Sequence, residues 1–290
     1  MKAYNTFNFN RFGKFLASDL RHCLANYGLS MLLMSMMGLI IYIGTVTMGL
    51  VFNGVWDGPG VGFRLTVFII TMFVLMTSMP VKCYGGLTDK KTGSAWLMLP
   101  VSRLEKYLSM IINTVFIIPL ATGSVYVLVD SLLCGLDPTC GAGIVTETKA
   151  FLVNMVSESF ATEADMISMP SLGTFAHQVS NPLLYIDDII MISLIFLLGA
   201  VCFKSGKTVK TFFAIFAYSI AFSFISVPVI SHYIGGIMEN INMLDQTAFI
   251  EDMFNSWIFR HAALVDTIND TVVNLALMAG IWFRIKTLKH

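Results

Sequence analysis

From position 211 to 238 the chain runs without one Asp, Glu, Lys or Arg. As an α-helix that run covers about 40 Å, more than the roughly 30 Å hydrocarbon core of a bilayer. Lipid offers no hydrogen-bond partners to a bare backbone, so a stretch of this kind is a spanning helix or is buried in other protein. Uncharged runs at 22–56, 65–81 and 107–129 repeat the signal. Charged residues make up 12% of the chain, about half the share of a soluble domain, and 56% are hydrophobic. The expected fold is an all-α integral membrane protein. Its spans are read at 29–52, 65–81, 107–129, 182–203, 211–238 and 262–283. Pro182 suits the first turn of the fourth span, which carries Asp187 and Asp188, and the sixth contains Asp266 and Asp270.

Orientation follows from the bases, because short loops rich in Lys and Arg stay cytoplasmic. Lys2, Arg11, Lys14 and Arg21 precede the first span; Lys82, Lys90, Lys91, Arg103 and Lys106 lie between the second and third. Lys204, Lys207 and Lys210 join the fourth to the fifth, and Arg284, Lys286 and Lys289 close the chain. Only Arg64, Lys149 and Arg260 fall on the other side, where most of the acids are. Both termini are therefore expected in the cytoplasm. The first apolar run is too long for a cleaved signal peptide and is expected to remain as an anchor. Zero net charge offers no basic footprint, so no nucleic-acid partner is expected.

Ahead of the first span, Phe12, Phe15, Leu16, Leu20, Cys23 and Leu24 fall on one helical face and Arg11, Lys14, Ser18 and Arg21 on the other. This is the pattern of an interfacial helix, read over 10–27 and expected to turn into the membrane near Asn26 to Gly28.

The cytoplasmic pieces are too short for a catalytic domain. Ser205, Gly206, Lys207 and Thr208 look like the end of a phosphate-binding loop, but Val201 stands where that motif needs Gly. The five histidines show no ligand spacing, so no metal is expected. The methionines read as apolar filler.

The sharpest local pattern lies in the connection at 87–106. After polar Asp89 and Lys90, Gly93 permits a turn; Ser94 to Leu99 then form a short apolar helix ended by Pro100. Ser102 and Glu105 are spaced as a capping box ahead of the third span. A knob bearing Trp96 cannot bury all its apolar surface in a short connection and is expected to dock on another protein.

In Asp89, Lys90, Gly93, Leu97, Leu99, Pro100, Ser102, Arg103 and Glu105 the connection resembles that of the membrane subunits of ABC-2 type ABC transporters. The resemblance implies an amphipathic elbow helix, six spans, a coupling helix at 87–106 and two permease halves, identical or paralogous, forming a path through the bilayer. It also implies a separate cytoplasmic ABC ATPase that holds ATP and Mg; this chain itself would be neither an enzyme nor a cofactor binder. The location would be the plasma membrane, the bacterial inner membrane. The outer loop at 130–181 departs from the family in being long.

In that loop Phe151, Leu152, Met155, Val156 and Phe160 recur at helical spacing. Cys134 and Cys140 are near enough in sequence for a disulfide, with two free thiols as the alternative. The second outer loop, 239–261, is apolar enough to dip back into the outer leaflet. Asp266, Asp270 and Asn274 share a face of the sixth helix. Intramembrane acids are functional suspects, although these two lie near the outer end, where water and the helix dipole would satisfy them. They support an alternative, an ion-coupled secondary transporter, although the internal repeats typical of carriers are missing. A non-transport membrane partner protein is the remaining class.

Overall fold

The computed structural model describes residues 7–89, 93, 94, 96, 98–146, 182–238 and 262–287. Every regular element among them is helical. The long helices are α1 (Phe9–Ser35), α2 (Met37–Asn53), α3 (Val61–Tyr84), α4 (Arg103–Ile111), α5 (Ile118–Leu136), α6 (Pro182–Cys202), α7 (Lys207–Met238) and α8 (Ala262–Thr287). A π-helical turn, Ile112–Ile117, joins α4 to α5.

Three stretches are long and apolar enough to cross a membrane: Phe9–Asn53, Val61–Thr88 and Arg103–Leu136. Ile189–Cys202 and Lys207–Phe224 together make a fourth if they are counted as one broken span. This is the helical membrane-protein character expected from the charge-free runs.

One boundary differs from the sequence reading. The turn expected near Asn26 to Gly28 is absent, and α1 continues to Ser35. A lone Gly costs a helix about 1 kcal/mol, too little to stop one that gains packing on both sides. The discontinuity sits at Met36, where the Ser35 hydroxyl donates back to the Leu32 carbonyl at 2.8 Å. Over its 45 residues this stretch would measure about 67 Å, twice a hydrocarbon core, so part of it must lie outside one.

The chain divides into two compact units, Met1–Phe151 with Ile189–Thr208 and Asn274–His290, and Leu152–Asp188 with Val209–Val273. In the first unit α1 packs on α3, α4 and α5. Its buried stripe, Phe15, Cys23, Met31 and Ser35, is therefore covered by the chain's own helices. Met31, Leu75, Met79 and Ile118 form one core cluster, with Leu20, Tyr27 and Cys83 against it. A second joins Tyr84, Leu87, Met110 and Val115 to Leu194, Leu197 and Val201 of α6 and Ile281 and Ile285 of α8. Near the other end of α3, Val67, Tyr126 and Ile144 make a third. Gly38 lets α2 approach the Tyr126 ring; a Cβ there would stand 3.0 Å from it.

In the second unit, α7 exposes Phe213, Phe216, Tyr218, Phe222 and Phe224. Exposed aromatics around a helix are costly in water and at home in lipid.

Candidate functional site

The base-bearing segments of the first unit meet at one end. The Ser102 hydroxyl accepts from the Glu105 backbone N–H at 3.2 Å, and the Ser102 N–H donates to Glu105 Oε2 at 3.0 Å, completing the expected capping box. The same carboxylate does a second job that spacing does not reveal. Its Oε1 accepts from the Asn8 N–H at 2.9 Å and from Arg11 Nη2 at 2.7 Å, and its Oε2 from Arg11 Nε at 2.9 Å. Glu105, fully buried, thus joins the first turn of α1 to the first turn of α4. Arg103 donates to the Lys286 carbonyl at 3.2 Å, Arg284 to the Val201 carbonyl at 3.3 Å, and Lys207 to the Gly85 carbonyl. Segments that the charge rule assigned to one side are thereby held together.

The connection between α3 and α4 is carried on this base-rich end. Its Lys90 and Leu97 lie outside the described residues. Exposed Asp89 offers its carbonyl to the Gly93 N–H at 2.9 Å, and Gly93, Ser94, Trp96 and Met98 are helical. Trp96, expected to face a partner, is packed in part on the chain's own core. Its half-buried ring packs against the Tyr84 and Met110 core, with the Lys106 ammonium 5.1 Å from the ring centroid. Lys106 Nζ also donates to the Trp96 carbonyl at 2.9 Å. Burying a large ring against the chain's own core and adding a cation–π contact outweighs leaving it exposed. Among the described residues its buried indole Nε1 has no hydrogen-bond partner. What projects instead is Met98, 83% exposed, followed by Leu99 at 43% and exposed Pro100. Leu104 adds to this apolar surface from α4.

Deeper at the same end lies a cluster that sequence reading missed. The Asp19 carboxylate oxygen Oδ2 accepts from the Tyr84 hydroxyl at 2.6 Å, the Ser109 hydroxyl at 2.7 Å and the Asn113 amide at 3.0 Å. The Asn113 amide donates also to the Tyr84 oxygen at 3.2 Å. A signal was available: Phe15, Asp19 and Cys23 are spaced by four along one face, as are Ser109 and Asn113. An acid in an otherwise buried stripe implies donors on the facing helices.

At the far end of α3, Arg64 is buried and uses every donor it has. Nη1 meets Asp130 Oδ1 at 2.9 Å and Cys134 Sγ at 2.6 Å; Nη2 meets the Cys140 and Ala142 carbonyls; Nε meets the Pro59 carbonyl. Asp130 Oδ2 accepts from the Ile144 N–H at 2.8 Å. The ion pair is folded under the 137–144 segment. Beside it, Asp137 accepts from Tyr42 at 2.6 Å, from Trp56 at 3.0 Å and from Thr139. The Tyr42 hydroxyl and then the Thr139 donors hold the Asp137 carboxyl well below the usual carboxylate range. Cys134 and Cys140 stand in this cage as free thiols, not as the disulfide considered from spacing. Burial, and then the Asp137 charge, push the Cys140 thiol up to about 11.

On α8, Asp270 is buried and accepts from Asn269 at 3.4 Å, and Asn274 is buried as well. The side chains of Asp266, Asp187 and Asp188 lie outside the described residues, as do residues 147–181 and 239–261. Among the described residues no group of three or more His, Cys, Asp or Glu could hold a metal.

Comparison of the chain with protein-family models, with curated proteins and with solved structures gives no match.

Proposed function

We propose that this chain is the membrane-spanning subunit of an ABC-type exporter. It works as a homo- or heterodimer in a bacterial inner membrane, driven by a separate cytoplasmic ABC ATPase that binds ATP and Mg. It crosses six times with both termini cytoplasmic, and the first turns of α1 lie along the inner leaflet as an elbow. One observation carries the reading: an exposed apolar tip, Met98 to Pro100, stands on the base-rich end with half-buried Trp96 behind it. An apolar point on a short helix whose base is packed into the bundle can press on a partner and transmit its displacement. Glu105, clamped to Arg11, would carry that displacement to the elbow.

The test separates tip from base. Met98→Asp is expected to reduce co-purification of an ATPase, and ATP hydrolysis by the complex in lipid, while leaving thermal stability unchanged. Trp96→Ala is expected to lower stability first and coupling through it. If no ATPase co-purifies in mild detergent and transport survives ATP depletion but collapses without an ion gradient, the exporter reading fails. The buried Asp270 then favours the ion-coupled carrier.

A further inference from the structure

A groove of about 670 Å³ runs along one face of α2. One row of residues spaced by four lines it, Ile40, Gly44, Met48 and Phe52, with Thr45 and Gly49 of the adjacent row. A Cβ at Gly44 would meet nothing within 4 Å, so the missing side chain leaves an open dent. The Thr45 hydroxyl donates to the Ile41 and Tyr42 carbonyls, which keeps the floor apolar. Ile40, Met48 and Phe52 are exposed. From Ile40 to Phe52 the helix rises about 18 Å, close to the roughly 15 Å of hydrocarbon in one leaflet.

At the end of α2 the chain turns back toward this groove. Gly54 adopts a left-handed φ of 66°, and the Gly54 and Val55 N–H groups donate to the Leu50 and Gly49 carbonyls at 3.2 and 3.4 Å. A Cβ at Gly49 would stand 3.0 Å from the Val55 carbonyl oxygen, so glycine lets the turn close. The turn is pinned by the Trp56 indole, which donates to Asp137 at 3.0 Å, and by the Gly58 N–H, which donates to Thr139 Oγ1 at 2.9 Å. It sets Asp57 at the mouth of the groove beside Asn53. Both side chains are exposed and without a hydrogen-bond or ion-pair partner among the described residues. Asp137, behind Trp56, receives only neutral donors, and the nearest base along the chain, Arg64, is paired with Asp130. The mouth is therefore acidic, and exposed Trp56 suits the boundary between lipid and water.

We propose that this groove holds a phospholipid with a primary-ammonium headgroup, one acyl chain lying along Ile40 to Phe52 and the ammonium on Asp57. An ammonium brings three donors for the Asp57 carboxylate and the Asn53 carbonyl, and the Asn53 NH2 is left for the phosphate. A choline head has no N–H to give, and an anionic head would meet two carboxylates. A second copy of this chain fits less well. A twofold contact on this face would set Asp57 against a groove that carries no base, and burying it unpaired is costly. The inference needs only the membrane-helix character of α2 and stands or falls apart from the exporter reading.

The experiment is native mass spectrometry of the full chain in mild detergent, titrated with phosphatidylethanolamine, phosphatidylcholine or phosphatidylglycerol of identical acyl chains. The ethanolamine lipid is expected to bind about tenfold more tightly than either of the others, the margin of one charge-assisted hydrogen bond. Asp57→Asn is expected to remove that margin. Gly44→Leu, which fills the dent, is expected to weaken the ethanolamine lipid about tenfold or more. Neither variant removes a side-chain contact within the described residues, so both should fold. Equal affinities for the three lipids in the wild type, or a margin that survives Asp57→Asn, would overturn the proposal. So would a dimer that Gly44→Leu splits while binding of the ethanolamine lipid stays unchanged, which would assign this face to a second copy.

Discussion

Glu105→Gln tests the joint between the first turns of α1 and α4 with almost no change of shape. The carboxylate accepts four hydrogen bonds, two from Arg11 and one each from the Asn8 and Ser102 N–H groups. A glutamine keeps one acceptor oxygen and turns an NH2 group on two of those donors. Hydrogen bonds to a charged acceptor are worth about 1.5–3 kcal/mol each, so losing two costs about 3–6 kcal/mol in full. Arg11 is 25% exposed and recovers part of this from water, which brings the expected loss to about 3 kcal/mol. Reversible unfolding in mixed micelles of dodecyl maltoside and dodecyl sulfate measures it. Arg11→Met alone is expected to cost about 2 kcal/mol, and the double variant less than the sum by about 2 kcal/mol, because both remove one interaction. A loss below about 0.5 kcal/mol for Glu105→Gln, or simple additivity, would show that the clamp does not hold the two turns together.

Asp137 makes stability depend on acid. Its folded carboxyl titrates below its unfolded value, so its contribution is complete above about pH 4 and is lost as pH falls through the lower folded value. Wild type should therefore lose more stability than Asp137→Asn when acidified below about pH 4, as unfolding titrations at stepped pH will show. The raised Cys140 thiol should alkylate slowly at pH 7 with or without reductant, and about tenfold faster per pH unit until about pH 11. Mass spectrometry that finds Cys140 labelled only after reduction would instead indicate a bridge to Cys134. Reporter fusions at His290 are expected to read cytoplasmic and insertions near Glu158 external; an external reading at His290 would refute the six-span orientation. Gly38→Val, which drives a branched side chain into the Tyr126 ring, should destabilise by about 1–3 kcal/mol in the same micelle assay.

What the sequence determined by itself was what is local or periodic. The charge-free runs specify helices because lipid leaves the backbone no other partner, and the stretches through 65–81 and 107–129 lie inside helical stretches of spanning length. The Ser102 and Glu105 pair specified its cap because both partners sit within one turn. Tertiary structure decided everything that depends on which face meets which neighbour. Five apolar residues in a short knob do not reveal that Trp96 turns inward under Lys106 while Met98 turns out, since that choice is set by the core offered by Tyr84 and Met110. Nor does Gly28 reveal that α1 passes it unbroken, because packing on α3 and α5 supplies more than the glycine costs. Asp19 and Glu105 look alike as isolated acids beside bases. One receives Arg11 and the other three neutral donors because helices distant in sequence bring those groups to them, and hydrogen bonds across such separations leave no mark in local spacing.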